Sequence, residues 1–414
     1  MRFSGLRVIK EALTGHRGWK PLWRNPEPQP EYDFIIVGGG GHGLATAYYL
    51  ASTFGQARIA VLEKGWLGSG NIGRNTTIIR SNYLLPGNEP FYEFSMKLWE
   101  GLEQEFNFNA MVSQRGILNL CHSDGQRDAF RRRGNAMLLA GADAELLDRD
   151  GVRAMYPFLN FDNARFPIRG GLLQRRAGTA RHDGVAWGYA RGADRRGVEI
   201  HQKTAVTDIE VRDGAVVGVH TDKGFVTARR VLSAVAGWTT GITKMVGLRT
   251  PLVIHPLQAM VTEPLKPWLH NIVVSASMHL YVSQSSRGEL VMGASLDPYE
   301  VHSTRSTLDF AEGLASHLLE LFPFLGDVKI LRQWAGLSDM TPDFSPIMGR
   351  TPIEGFYIDS GWGTWGFKAT PVSGKTMAYT MANDREHELI IPFRLSRFEE
   401  FELVGEKGAA SVGH

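Results

Sequence analysis

The chain has 414 residues, of which 43% are hydrophobic and 21% charged, with 45 Lys and Arg against 43 Asp and Glu. Such values belong to a folded globular protein of about two or three domains, and they exclude a disordered chain, a coiled-coil rod and a disulfide-stapled miniprotein. A formal net charge of +2, with no basic block interleaved with aromatics, also excludes the electrostatic footprint of a nucleic-acid binder.

Residues 1–30 read as a basic arm that ends Pro-rich: Arg2, Arg7, Lys10, Arg17, Lys20 and Arg24 precede Pro26-Glu27-Pro28-Gln29-Pro30. The arm lacks the apolar core of a secretory signal; its basic, acid-poor start can mimic a mitochondrial transit peptide, although Trp19 and Trp23 better suit an arm packing on a partner chain. From Tyr32 the pattern changes. Tyr32 to Val37 reads as a buried strand, Gly38 to Gly43 as a glycine-rich turn, Leu44 to Ser52 as a helix and Arg58 to Glu63 as a second buried strand, together a βαβ unit. Phe91 to Glu105 and Asp183 to Arg196 read as helices. Residues 198–230 alternate as a meander with turns at Asp213-Gly214 and Lys223-Gly224, and Val231 to Ala236 reads as another buried strand. Short strands recur over 251–295 and a helix covers Leu308 to Phe322. A last strand, Phe356 to Asp359, precedes a glycine-rich loop from Gly361 to Gly366 and a closing helix from Ser373 to Asn383. The chain is therefore α+β with a nucleotide-binding start.

The most apolar stretch, Phe34 to Leu50, is broken by glycines and His42, so no membrane span is predicted. The single cysteine, Cys121, rules out an intrachain disulfide and a Cys-based metal site built by this chain alone. It reads as a small buried apolar residue, no metal site is predicted, and a reducing, cytoplasmic setting follows from the cysteine usage.

The spacing Gly38-x-Gly40-x-x-Gly43 decides nothing alone, because 47 Gly produce such a triplet by chance about 0.6 times in a chain this long. Its context is what informs. The triplet follows an apolar strand directly, opens a helix, and is followed by Glu63 at the end of the next strand. Gly38, Gly39 and Gly40 give a tight turn open to a pyrophosphate, Gly43 permits close helix–strand packing, and the helix N-terminus offers free N–H groups. Glu63 can accept hydrogen bonds from an adenosine ribose and repels a 2′-phosphate, so the ligand is FAD or NAD and not NADP.

Residue patterns stop at that pair of cofactors. Four further segments, Gly68 to Arg80, Leu232 to Trp238, Trp334 to Asp343 and Gly361-Trp362-Gly363-Thr364-Trp365-Gly366-Phe367-Lys368, resemble in this order the D-amino-acid oxidase and sarcosine oxidase family of flavoproteins. Within it they are similar to the β subunits of the heterotetrameric branch. The resemblance implies a glutathione-reductase-like FAD domain over 31–110, 177–240 and 343–392. An interleaved mixed-sheet substrate domain then takes 111–176 and 241–342, and 393–414 form a C-terminal tail. It implies noncovalent FAD flanked by Glu63 and Lys64 at the adenosine, with Ser69, Asn71, Arg74, Thr76 and Ile78 along the pyrophosphate and flavin. Val206 is placed on the adenine side, Gly237 among the FAD contacts, and Gly363, Gly366 and Lys368 against the ring system. A loop rich in glycine just before a lysine independently suits close approach to a flat ring with a cation beside it. The place where some single-chain relatives attach FAD through cysteine reads Ala335-Gly336-Leu337-Ser338.

The same resemblance makes His182, in Arg181-His182-Asp183, the covalent anchor of FMN, with Arg175, Arg176 and Arg181 nearby to suit a phosphate or flavin anion. It implies oxidation of sarcosine to glycine, with Arg80 taking the carboxylate, Lys368 as a second active-site cation and Tyr281 near the substrate. Electrons pass from FAD to FMN, oxygen becomes hydrogen peroxide, and the one-carbon unit leaves as formaldehyde or goes to tetrahydrofolate in a partner. Partners are α, γ and δ subunits of a heterotetramer, which would also carry any NAD and zinc. A lysine and a histidine that single-chain oxidases keep near the flavin read Val291 and Ser295 here. That departure implies an FAD that reacts poorly with oxygen. A dimethylglycine dehydrogenase-like or other N-methyl amino acid oxidoreductase shares the same cradle, and a noncatalytic flavoprotein subunit is the reading from another class.

Overall fold

Continuous apolar runs can pair on both edges and bury both faces, and four such runs build the centre of the computed structural model, which describes residues 4–19, 22–55, 57–83, 87–293 and 296–404. A six-stranded sheet runs in the order Ile347–Arg350, Phe356–Ser360, Val231–Ser233, Phe34–Val37, Ile59–Glu63, Glu199–Gln202. All its neighbours are parallel except the first pair. The helices Gly41–Thr53, Asn88–Phe106, His182–Asp194 and Gly366–Asn383 share one core with it, in which Ile36, Leu44, Val61, Trp99 and Tyr189 are buried.

An eight-stranded mixed sheet forms the second layer, in the order Ile330–Met340, Val253–Pro264, Glu289–Gly293, Leu280–Gln284, Ile272–Ser275, Ile117–Cys121, Gly170–Gln174, Glu145–Asp148. Its alternation is legible in Ile117–Cys121, where Leu118 and Leu120 enter an apolar core with Leu173, Val282 and Leu314. Cys121 is a free thiol packed beside Phe130 and Met137. The meander forms a three-stranded sheet of Val206–Arg212, Ala215–Thr221 and Gly224–Thr227. A two-stranded ribbon pairs Ile78–Ile79 with Gly178–Thr179.

Several predicted elements shift. The closing helix starts at Gly366 rather than Ser373 and runs through Pro371. An interior proline removes a ladder bond, but the turn before it is held from outside: the Lys368 carbonyl accepts from Ser95 Oγ (2.6 Å) and Trp99 Nε1 (2.9 Å). The strand from Val231 ends at Ser233 and gives way to a short 3-10 turn at Ala236–Trp238.

The arm contains a helix that the sequence pattern did not reveal, Gly5–Leu13, capped by Ser4. Its Glu11 is buried by the chain's own fold-back, accepting from Gly18 N–H at 2.8 Å. Trp23 is partly buried and packs against the main core. Arg24 bonds Asp194 (2.8 Å), and Gln202 N–H donates to Asn25 Oδ1 (2.8 Å). At the other end Arg397 is fully buried and forms a bidentate pair with Asp343 at 2.8 and 2.9 Å.

Among the described residues no helix is long and apolar enough to cross a membrane. Removing one member of a buried ion pair leaves the other charge uncompensated, so Arg397→Leu is expected to cost about 3–5 kcal/mol, read as a lowered melting temperature. An unchanged melt would show the pair to be dispensable.

Candidate functional site

A cavity of about 1160 Å³ lies between the two sheets. Its wall on the six-stranded side is the turn after Phe34–Val37. Gly38 has φ +109°, and a Cβ on Gly43 would overlap the Gly38 carbonyl oxygen, so the tight turn and its packing both demand glycine. Gly40 is the N-cap of Gly41–Thr53 and supplies no side-chain cap, leaving first-turn N–H groups toward the cavity.

The sequence places Glu63 at a ribose, and in the structure Glu63 is one of the residues lining the cavity. Its carboxylate also holds the local backbone, Oε2 accepting from Gly39 N–H (2.9 Å) and Oε1 from Gly65 N–H (2.7 Å). Gly39 itself is thus part of the turn rather than of the lining. Lys64 sits over the Trp238 ring at 3.3 Å, with burial lowering its pKa. Val206 and Gly237 line the same end.

The segment 68–80 crosses the cavity floor. Asn71 pairs its carboxamide with the backbone of Leu337, donating to O (2.5 Å) and accepting from N–H (3.1 Å). Arg74 folds back onto the carbonyls of Ser69 and Gly70. Ser69, Thr76 and Ile78 line the cavity, and the Tyr281 side chain bonds that of Thr76. Tyr281 lies flat across Gly293, where a Cβ would overlap its hydroxyl; burial raises the pKa of that hydroxyl. Val291 stands two residues before Gly293 on the same sheet face, and Ser295 lies outside the described residues.

Arg80 and Lys368 both line the cavity. Arg80 donates to Asn82 Oδ1 (2.6 Å) and covers the Tyr83 ring at 4.9 Å. Lys368 is 6% exposed and donates to the Thr364 carbonyl at 3.2 Å. Desolvation, with the Arg80 charge added, pushes its pKa well below the ordinary lysine value. Two cations converging on one cavity form a site for an anion, bidentate on the Arg side. Gly363 and Gly366 flank the turn that presents Lys368.

His182 is not brought into this lining. It opens the helix His182–Asp194, and two residues before it Ala180 N–H donates to Thr77 O (3.0 Å), a residue of the cavity wall. Its Nδ1 is buried without a hydrogen-bond partner, and burial lowers its pKa, favouring neutral imidazole. The three arginines expected to serve an anion there are engaged instead. Arg175 pairs with Glu145, Arg176 with Glu93 and Glu100, and Arg181 with Asp183. Their carboxylate partners, apart from Asp183, are distant in sequence, which hid the pairing. Asp183 does not cap the helix from in front either; it accepts from the adjacent Gly184 N–H at 2.8 Å.

Sequence reasoning missed two further groups. Asn119 on Ile117–Cys121 faces the cavity with Nδ2 buried and unpartnered. A polar residue inside Ile117-Leu118-Asn119-Leu120 was the available signal. His42 and Asp359, 317 positions apart, meet at the cavity edge.

The family described as FAD dependent oxidoreductase (DAO) matches residues 33–380. The chain belongs to the FAD-dependent oxidoreductase family. Within that family it is 57% identical to sarcosine oxidase subunit beta of Rhizobium meliloti (strain 1021), over 99% of this chain and 98% of that one. It is 47% identical to the protein of the same name from Arthrobacter sp, over 95% and 97%. The crystal structure of L-proline dehydrogenase from P. horikoshii superposes with a TM-score of 0.85 at 25% identity, covering 91% of this chain and 100% of that one.

The group that this family holds fits the residues present. The cradle a Gly43 side chain would fill, uncapped helix N–H groups and a cavity spanning both sheets suit a dinucleotide with a flat ring. In this FAD-dependent oxidoreductase Gly43→Ala is therefore expected to abolish FAD retention, measured by flavin absorbance per chain; full retention would contradict the close packing. A second expectation concerns Lys368. An anion binds its protonated form, so acetate affinity should fall as pH rises through the lowered pKa. Lys368→Met should weaken acetate about tenfold at low pH and flatten the profile, followed by perturbation of the flavin spectrum.

Proposed function

We propose that this flavoprotein oxidises sarcosine to glycine as the β subunit of a hetero-oligomer, with dimethylglycine or another N-methyl amino acid as the nearest alternative substrate. The observation that carries the reading is the Arg80–Lys368 pair, two cations in one cavity of a chain 57% identical to a sarcosine oxidase subunit beta. FAD, held noncovalently when bound, accepts the two electrons removed from the C–N bond.

The residues do the rest. Arg80 and Lys368 hold the carboxylate, whose negative charge offsets the desolvation and the Arg80 repulsion that lower the Lys368 pKa, and so favours the protonated amine. With the carboxylate fixed, the methylamine end is restricted to the volume bounded by Tyr281, Asn119 and the Gly363–Gly366 turn. Tyr281, tied to Thr76, narrows that volume. Water hydrolyses the imine product to glycine and formaldehyde, or the one-carbon unit is passed to tetrahydrofolate on a partner.

FMN is assigned to His182. Its buried, unpartnered Nδ1 on a neutral ring is a competent nucleophile, and the Thr77–Ala180 contact puts it one ribbon from the FAD cavity. An FMN held there would supply the route by which electrons reach oxygen and give hydrogen peroxide. The overall balance is sarcosine, O2 and H2O to glycine, formaldehyde and H2O2. Partners named α, γ and δ complete the assembly and hold any NAD and zinc; the setting is cytoplasmic.

Sarcosine added to the purified complex under nitrogen is expected to bleach the bound flavin stoichiometrically, and an inert spectrum overturns the substrate. After acid precipitation the wild-type pellet should stay yellow with a flavin mass on the His182 peptide. His182→Ala should give a colourless pellet while FAD is released as before. A colourless wild-type pellet removes the FMN assignment alone.

A further inference from the structure

His42 is the second residue of the Gly41–Thr53 helix, in the turn that faces the pyrophosphate end of the cavity. Its Nδ1 lies 3.2 Å from both oxygens of Asp359, and its Nε2 lies 2.8 Å from the Gly366 carbonyl. A carbonyl can only accept, and so can an ionised carboxylate. Asp359 is 1% exposed and its oxygens also accept from Trp362 Nε1 and from Ser373 Oγ (2.6 Å), so every group around them is a donor. A neutral imidazole carries one N–H and would turn a lone pair toward one of its two acceptors. Only the imidazolium satisfies both.

The surrounding charges agree. Burial works against a charged His42, but Asp359 and, further off, Asp339 outweigh it and raise the pKa. Asp339 is itself fixed to the loop, accepting from Gly361 N–H at 2.6 Å, and burial raises its pKa to about 6. A cation in the first turn of a helix opposes the positive helix end, so nothing in the helix alone favours histidine there. What it gains is three connections: the phosphate-binding turn through its own backbone, the end of Phe356–Ser360 through Asp359, and the first residue of Gly366–Asn383 through the carbonyl.

We infer that His42 is a positioning residue whose doubly donating ring sets the distance between the phosphate-binding turn and the Gly361–Lys368 turn, so that one FAD can engage both. The pair with Asp359 is neutral overall and acts through geometry. Trp362, edge-on to His42 at 4.5 Å and bonded to Asp359, completes the clamp. The inference rests on the FAD assignment and not on the choice of amine, so failure of sarcosine as substrate leaves it standing.

The test is a double-mutant cycle in the full chain, with FAD removed and titrated back while flavin fluorescence is followed. His42→Gln and Asp359→Asn are each expected to raise the FAD dissociation constant about 10- to 100-fold, the range for a lost charge-assisted hydrogen bond. The double variant should be no worse than the poorer single variant, because both remove one clamp. The visible circular dichroism of bound flavin should change in all three, while the FAD-free chains stay folded by far-ultraviolet circular dichroism, with a lowered melting temperature in the single variants that leave one charge of the pair buried alone. A His42→Gln constant within about twofold of wild type, or a double effect equal to the product of the singles, overturns the inference. So does an FAD-free His42→Gln chain that is unfolded by far-ultraviolet circular dichroism, since the ring would then serve folding rather than cofactor placement.

Discussion

The buried ammonium of Lys368 beside the guanidinium of Arg80 is the constraint to which much of the surrounding structure answers. Desolvation and like-charge repulsion both oppose that arrangement, and no carboxylate among the described residues bonds the lysine. It persists because the backbone around it cannot relax. Ser95 and Trp99 grip the Lys368 carbonyl, Pro371 stiffens the helix behind it, and the His42–Asp359 pair holds the preceding turn. A helix from one part of the chain thus fixes a cation that helps recognise an anion in a cavity lined by several others. The repulsion between the two cations becomes binding energy when a carboxylate enters.

The Arg80 side is supported in a different way, by a buried polar network. Gln174 Oε1 accepts from Ser81 N–H (3.1 Å), and Ser81 Oγ donates to Glu93 (2.9 Å), which in turn pairs with Arg176. Arg133 reaches the Asn82 carbonyl from the other direction. Such networks favour one arrangement only when their members are satisfied. Arg176, expected from the sequence to serve an anion near His182, is thereby absorbed into supporting the loop that carries Arg80.

How much of this was legible depends on distance along the chain. The phosphate turn was readable because glycine requirement, apolar strand and acidic residue all fall within 34–63. The glycine-rich turn at 361–368 stood out through its glycines and the family resemblance, and most of its residues line the cavity. Asn119 offered only a polar break in an apolar strand, and the Gly5–Leu13 helix is too short for its period to stand out. The pairing of Arg175 and Arg176 with Glu145, Glu93 and Glu100 was invisible, because nothing local distinguishes a free arginine from one engaged across the fold. The start of the last helix was misplaced for a similar reason: the donors that support the turn before Pro371 sit some 270 residues earlier.

The strand order has a consequence for how the protein is made. Val231–Ser233 lies between Phe34–Val37 and Phe356–Ser360, and the cavity wall draws on both Gly38 and Thr370. During synthesis Phe34–Val37 keeps an open strand edge until about two hundred further residues have emerged and Val231–Ser233 can pair with it, and the cavity wall is complete only once Thr370 has followed. Coenzyme capture is therefore a late event, and a nascent chain shorter than about nine tenths of full length has no complete pocket in which to receive it.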